Sequence, residues 1–443
     1  MGRVHSLLLV ALSLPQIAIF AQTSGQANTQ TPPPASQPQQ LTLAQAESIA
    51  VANQPRILAA RLRALSAAQR TREARSGLLP TIAFNATGVA VADTGTSTAA
   101  GALTTSSISD RFACGGNLVQ LITDFGRTSA LVASQRSLAT AQQDRTTLTT
   151  AMVRLDVRTA YFQVMGAEAV LHAAREAQAN RALISRQIGA LAQSQLRSTV
   201  DVSFAGVLES EAELAVVQAE SAVEQERDHL ATAMGENQPI TAPLVEEPLP
   251  ATLPLDASTF LADGLAQRAD LSEAVSRQQA ANRYAAAERR LSYPTLNALG
   301  AAGSIPYRDH TLHDSYAAAG FNLNIPVFNG GLFAARRTEA DLEAKARTRD
   351  TEELQLEVSE QVRNQWVRAN EAFRSLEVSA RLVAQSKEAL RLAQARYDAG
   401  LGSIVELNQA QLTETSSEIT AASANYDYLT RRAELDFAAG LLN

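Results

Sequence analysis

The strongest constraint in this sequence is an internal repeat. Residues 124–236 and 329–441 align without a gap at a constant offset of 205 residues (329 against 124). Matching positions include Gly126 with Gly331, Val157 with Val362, Tyr161 with Trp366, and Asp201 with Glu406. Self-similarity over this length predicts one structural unit that is built twice in tandem.

The repeat extends upstream with a change of spacing. Residues 53–80 match residues 267–294 at an offset of 214, so the first copy is nine residues longer (214 minus 205) between Pro80 and Asp124. Because length changes collect in surface loops, we expect a loop in this region of each copy.

The N-terminus has the features of an export signal. Residues 1–21 contain a basic start at Arg3, an apolar run of about 14 residues and the small residue Ala21, which predict a signal peptide. A membrane anchor is disfavoured because a spanning helix needs about 20 apolar residues. Residues 22–40 are rich in Pro, Gln and Thr, and we expect a disordered spacer there.

Each copy is predicted to contain a helix followed by a β-hairpin. Helical spacing covers residues 41–76, where Pro55 should kink or break the helix, and about 256–291. Alternating patterns and loop signals then predict hairpin strands at about 81–91, 111–123, 295–303 and 315–327, with loops at 92–109 and 304–314.

A very long helix follows each hairpin. Residues 127–195 and 332–399 lack proline, and apolar residues recur at steps of three and four. A helix of this length spans roughly 100 Å, so its apolar stripe must pack along other helices. A shorter return helix follows each turn. Two short helices end to end match one long helix, which predicts a long cylinder, hollow or packed.

The two copies are joined by a proline-rich segment. We therefore expect a first repeat at 41–238, a linker at 239–255 and a second repeat at 256–443.

The net charge and the cysteine content limit the partners and the covalent links that the chain can have. The formal net charge is −7, which disfavours a nucleic-acid partner because such proteins normally present a basic face. Cys114 is the only cysteine and can form no internal disulfide, so we interpret it as an incidental small apolar residue.

The pattern resembles the TolC family of outer-membrane factors. The resemblance is carried by the order of elements, found twice, and by these segments: LTLAQAESIAVANQP (41–55), Leu79-Pro80, LITDFGR (121–127), LRSTVDV (196–202), Tyr293-Pro294, IPVFNGG (325–331) and LGSIVEL (401–407). It covers nearly all of the chain after the leader.

The resemblance implies a mainly α fold with a membrane β-barrel portion. Three protomers would form a twelve-stranded barrel in outer-membrane lipid and a twelve-helix barrel in the periplasm. Such a homotrimer would be a passive exit duct of a tripartite efflux pump or type I secretion system. Its partners would be a periplasmic adaptor (membrane fusion) protein and an inner-membrane transporter that supplies energy. No cofactor is implied.

The resemblance also assigns roles to the helical turns. It implies adaptor contacts at Leu196, Arg197, Ser198, Thr199, Gly400, Leu401, Gly402 and Ser403, although turn chemistry alone also explains these residues. It implies a periplasmic pore constriction at Glu406 and Gln409, with Asp201 as the first-repeat counterpart. A ring of Glu406 side chains would favour cations, but a solvated carboxylate at a helix N-terminus is an equal alternative.

Other functional classes have weaker support. The pair His310 and His313, with Asp309 and Asp314, has metal-ligand chemistry, but no further ligands are evident and a polar loop is favoured. No catalytic, phosphate-binding or zinc motif is present, so we expect no enzyme. The main alternative function is an exported periplasmic helical scaffold or adaptor, which would have one helical hairpin in a β-rich body rather than two hairpins.

Overall fold

The computed structural model describes residues 40–89, 111–195, 198–250, 252–307 and 313–443. The expected leader, the spacer up to residue 39, the loop at 92–109 and His310 lie outside the described residues. Residues 40–443 form one unit.

The first helical segment is divided at Pro55, as the sequence indicates. Helix α1 spans Leu43–Asn53 and α2 spans Pro55–Ser76. Thr42 caps α1 in a capping box: its hydroxyl accepts from Gln45 N at 3.3 Å, and the Gln45 side chain accepts from Thr42 N at 3.0 Å. Proline is tolerated in the first turn of α2 because no helical N–H bond is lost there.

Four antiparallel strands form a single sheet in the order β1-β2-β3-β4. They span Thr81–Val89, Arg111–Thr123, Thr295–Tyr307 and Ser315–Asn324. Strand β3 is longer than expected because it remains paired with β2 as far as Tyr307. Strand β4 ends at Asn324, before residues 325–327, which were expected to be strand. Pro326 has no N–H to donate to a sheet ladder.

The pairing register separates the sheet into two chemically different faces. One face carries apolar side chains, namely Ile82, Phe84, Leu118, Leu296, Phe321 and Leu323. The opposite face carries a row of polar side chains, namely Thr81, Asn85, Asn117, Asn297 and Asn322, together with some apolar ones such as Val119 and Leu299. Ile82 is 75% exposed and Phe321 is 78% exposed, so the apolar face has no partner among the described residues.

The helices form parallel columns beside one another. In the first repeat α3 spans Arg127–Gln193 and α4 spans Thr199–Met234. In the second, α5 spans Ser258–Gln267, α6 Ala269–Arg289, α7 Leu332–Asp398 and α8 Ile404–Ala438. Helix α3 packs against α2 and α4 and also against α6 and α8, while α7 packs against α6 and α8. The order across the unit is therefore α2 with α4, then α3, then α6 with α8, then α7.

The linker packs against the main hydrophobic core. Ile240 and Leu244 lie against a core that includes Val157 and Leu230, and Leu244 pairs with Leu41 in an isolated parallel bridge. Tyr161 Oη lies 2.9 Å from the carbonyl oxygen of Leu41 and 2.7 Å from that of Val245. The proline-rich segment thus adds to the core, which its composition did not indicate.

The ends of the return helices are fixed by the breaks before α2 and α6. Gln54 donates its side-chain amide to the carbonyl oxygens of Thr232 (3.1 Å) and Ala233 (3.0 Å) at the end of α4. Gly235 follows with φ of 79°, and a Cβ there would lie 3.0 Å from Gln54 Cα. In the second repeat Gly440, at φ of 73°, packs in the same way on the backbone of Arg268.

This junction gives a stability prediction. Gly235→Ala should lower the free energy of unfolding by about 1–2 kcal/mol, because a side chain in the left-handed region is strained and this one also meets backbone. The matched control is Gly206→Ala in α4, where a Cβ meets nothing within 4 Å. It should raise stability by about 1 kcal/mol through helix propensity. Thermal unfolding followed by circular dichroism measures both, and equal shifts in the same direction would contradict the junction's role.

Candidate functional site at the two helical turns

Both helical turns lie at the end of the molecule remote from the sheet. The helices α3 and α7 each follow a strand of the same sheet and continue for 67 residues, or roughly 100 Å. Helices α3 and α8 pack together on the way to this end, where Arg181 Nη2 lies 3.5 Å from Thr415 Oγ1. The two turns that the sequence singled out therefore lie at the same end of the molecule.

The α7–α8 turn is a Schellman motif followed by a helix cap. Gly400 has a φ of 74°, Gly400 N donates to Tyr397 O at 3.0 Å, and Leu401 N donates to Arg396 O at 2.8 Å. Ser403 then accepts from Glu406 N at 3.2 Å through its hydroxyl. The glycine and serine residues thus have clear structural roles, whereas Leu401, which is 75% exposed, has no such role.

The α3–α4 turn has related geometry. Gln195 takes a φ of 60°, and the Ser198 hydroxyl accepts from Val200 N at 3.1 Å. Ser198 and Thr199 are exposed, while Leu196 and Arg197 lie outside the described residues. Exposed apolar side chains at the two turns, Val200, Leu401 and Val405, give this end a surface suited to contact with another protein.

Glu406 lies in the first turn of α8 and forms an ion pair that the sequence did not predict. Its Oε1 lies 3.4 Å from Arg396 Nε, and the two side chains are 46% and 58% exposed. An exposed pair of this kind contributes little stability, about 0–1 kcal/mol. The main effect of the pair is electrostatic, because the guanidinium of Arg396 offsets part of the negative charge of Glu406.

The remaining predicted pore residues lie close to the turns. Gln409 is exposed on α8 one turn after Glu406, and Asp201 is half-buried in the first turn of α4. Because Asp201 and Glu406 stand at the N-termini of different helices, the chain places them in equivalent positions rather than in contact with each other. Both carboxylates also suit the positive end of a helix dipole.

A small core behind the second turn holds it in place, and sequence reasoning missed it. Leu407 is 1% exposed and packs against Ala393 and Tyr397. Arg396 was also missed, because its proximity to Glu406 arises from the chain reversal and not from helical spacing. One sequence feature could have indicated Arg396: it is a basic residue in the last turn of α7, where a positive charge complements the helix dipole.

No group of three or more potential metal ligands occurs within the described ranges. In the same ranges, no helix has the length and apolar character needed to cross a membrane. His313 lies just before β4, and residues 308–312, which include His310, lie outside the described residues.

Comparison with known proteins assigns the chain to a family. Residues 47–236 and 261–441 match the outer membrane efflux protein family. The chain belongs to this family. The two matched segments fall within the two repeats, and the family is one of outer-membrane channels rather than of enzymes. Membership therefore places the chain in the outer membrane, with an extension into the periplasm.

Known relatives agree in sequence and fold. The outer membrane protein TolC of Escherichia coli (strain K12) is 24% identical over 349 residues, which cover 74% of this chain and 69% of the relative. A membrane protein from Pseudomonas aeruginosa superposes with a TM-score of 0.80 at 19% identity, covering 90% of each chain. The open-state MtrE outer membrane channel of Neisseria gonorrhoeae gives 0.74 at 23% identity, covering 90% of this chain and 88% of that one. The predicted TolC-family fold class is confirmed.

The core behind the second turn gives a prediction about local order. Leu407→Ala should destabilise the turn by about 2–5 kcal/mol, because it removes a fully buried side chain. Amide hydrogen exchange of residues 399–405 should then accelerate. Val405→Ala is the matched control, since Val405 is 61% exposed and its truncation leaves the core intact. Similar exchange in both variants would show that Leu407 does not hold the turn.

Proposed function

We propose that the protein is a passive outer-membrane exit duct built from three copies of this chain. The observation that carries the proposal is the two-faced sheet, whose apolar face has no partner among the described residues and whose opposite face carries a row of polar side chains. An apolar exterior and a polar interior are what a barrel strand needs in lipid. Each repeat, 41–238 and 256–443, would supply one hairpin to the barrel.

The sheet edges support an oligomer. Strands β1 and β4 are the outer strands of the sheet, and each leaves one row of backbone groups without a strand partner among the described residues. In lipid each unsatisfied group costs several kcal/mol, so the edges must pair with other copies. Eight strands would leave an interior filled by side chains, whereas twelve would leave a conduit. The number three comes from the resemblance to the TolC family.

The helical columns support the same arrangement. The outermost columns are α2 with α4 on one side and α7 on the other, so a copy can place its α7 against the next copy's α2 and α4. Both surfaces carry exposed apolar side chains, namely Leu62, Leu65, Leu214 and Val217 on the first and Leu342, Leu356, Val367 and Val378 on the second. Head-to-tail contacts between two different surfaces close into a ring when the rotation fits.

The turns would serve as the docking end of the duct. The turn residues from Leu196 to Thr199 and from Gly400 to Ser403 would contact a periplasmic adaptor, which links the duct to an inner-membrane transporter. Glu406, with Gln409 and Asp201 nearby, would form a charged constriction. The chain has no energy-coupling motif, so transport energy would come from the transporter. A polar lining would select weakly among substrates.

The assembly is tested by native mass spectrometry of the detergent-solubilised protein. We expect a trimer that depends on detergent, because the apolar faces of the sheets require a lipid substitute. A monomer that is soluble without detergent would overturn the duct and favour a periplasmic scaffold or adaptor. Fractionation with the outer membrane, as opposed to release with the periplasm, provides an independent check.

The proposed constriction is tested by ion selectivity in planar bilayers. Glu406→Gln should lower the preference for cations, because a ring of negative charges is removed. Arg396→Gln should raise it, because the cation that offsets Glu406 is lost. Glu377→Gln is the matched control, since Glu377 is an exposed carboxylate paired with Arg381 far from the turn. Reversal potentials that are unchanged in both Glu406→Gln and Arg396→Gln would remove Glu406 from the pore.

A further inference from the structure

A cavity lies between α3, α7 and α8, roughly 10–15 Å from the helical turns. Its volume is about 300 Å³, and it is formed within one chain. Polar and charged side chains dominate its lining, which includes Asn180, Arg181, Lys387, Arg391, Gln411 and Glu414. It is separate from the turns and from Glu406.

Arg181 is a buried cation without an ionic partner. The residue is 7% exposed, and among the described residues no carboxylate oxygen lies within 4.0 Å of its nitrogens. Its Nη2 donates to Thr415 Oγ1 at 3.5 Å, a weak bond at this distance, and Nη1 has no hydrogen-bond partner. Burial lowers the pKa of the Arg181 guanidinium, although Glu211 and Glu414 attract it from beyond ion-pair distance. A buried charge without a direct ion pair is costly, so an acceptor at Nη1 would stabilise the fold.

A second donor on the cavity wall is also unpaired. Gln411, from α8, is 6% exposed, and its Nε2 has no hydrogen-bond partner. Buried polar groups are almost always paired in native proteins, which makes two unpaired donors around one cavity unusual. Since Arg181 belongs to the first repeat and Gln411 to the second, an acceptor between them would bridge the repeats.

The other charges of the lining favour a negative ligand. Lys387 and Arg391 add two cations, whose ion pairs are with Glu418 (2.8 Å) and Glu388 (2.7 Å), residues that do not line the cavity. Glu414 is the one carboxylate among the lining residues. Burial, followed by the neighbouring Glu418, raises the pKa of Glu414, although Lys387 and Arg181 act in the opposite direction.

We propose that this cavity binds a small oxyanion, held by the guanidinium of Arg181 and the amide of Gln411. The class includes sulfate, phosphate and small carboxylates, whose oxygens can accept two parallel bonds from a guanidinium. The bound anion neutralises Arg181 and joins α3 to α8. The site is independent of the proposed duct, since it lies within one chain and requires no pore.

Sulfate is a suitable probe, with the detergent-solubilised full chain as the sample. Low millimolar sulfate should raise the melting temperature above that in sodium chloride of equal ionic strength, because a ligand that binds the folded state stabilises it. Arg181→Met should abolish this rise. In chloride alone, its melting temperature should equal or exceed that of the unaltered protein, since an unpaired buried charge has been removed.

Arg186→Met is the matched control, because Arg186 is an exposed arginine on the same helix. It should keep the full response to sulfate. If Arg181→Met does not fold, Gln411→Met replaces it as the test. This variant removes the second donor and should reduce the rise in melting temperature on addition of sulfate.

The proposal is overturned if sulfate does not raise the melting temperature, if Arg181→Met or Gln411→Met keeps the full rise, or if Arg181→Met is less stable than the unaltered protein in chloride. The last result would mean that Arg181 is paired within the protein. Channel conductance is measured separately, so failure here leaves the duct untouched.

Discussion

The fold depends on burying one stripe of small and apolar side chains along α3. A helix of 67 residues cannot bury that stripe alone, because helical stability in proteins comes mostly from tertiary packing. Helix α3 packs against α2 and α4 from its own repeat and against α6 and α8 from the other. Alanine, serine and valine along the buried face permit close approach of these helices. The two repeats are therefore one structural unit, not two domains.

Helix α7 shows the consequence of leaving such packing incomplete. It repeats α3 in length, but it contacts helices of its own repeat alone within the described residues. The other side of α7, the outer face of α2 with α4, and the edges of β1 and β4 all lack partners among the described residues of one chain. Helix α3 is thus packed against helices on both sides, whereas α7 is packed on one side. A cyclic assembly would cover the second side of α7 and would pair the edge strands β1 and β4.

The repeat made most of the architecture predictable. Two copies of one pattern indicated the order of helices, the hairpins and the stacked short helices, and the break at Pro55 followed from proline chemistry. The extent of β3 and β4 was less predictable, because strand length depends on pairing with a neighbour, and Tyr307 remains paired while residues 325–327 do not. The positions of Glu406 and Ser403 followed from the sequence, whereas the nearby Arg396 did not.

The sequence by itself determined which residues occupy equivalent places in the two repeats, because the constant offset is a property of the chain. It also determined the polar and apolar alternation of the strands. The tertiary structure alone decided that Arg181 is buried beside Thr415, that Gln54 caps α4, and that the linker packs on Tyr161. Each of these joins residues at least 84 positions apart. No local pattern encodes such contacts, because they exist only once distant helices have packed side by side.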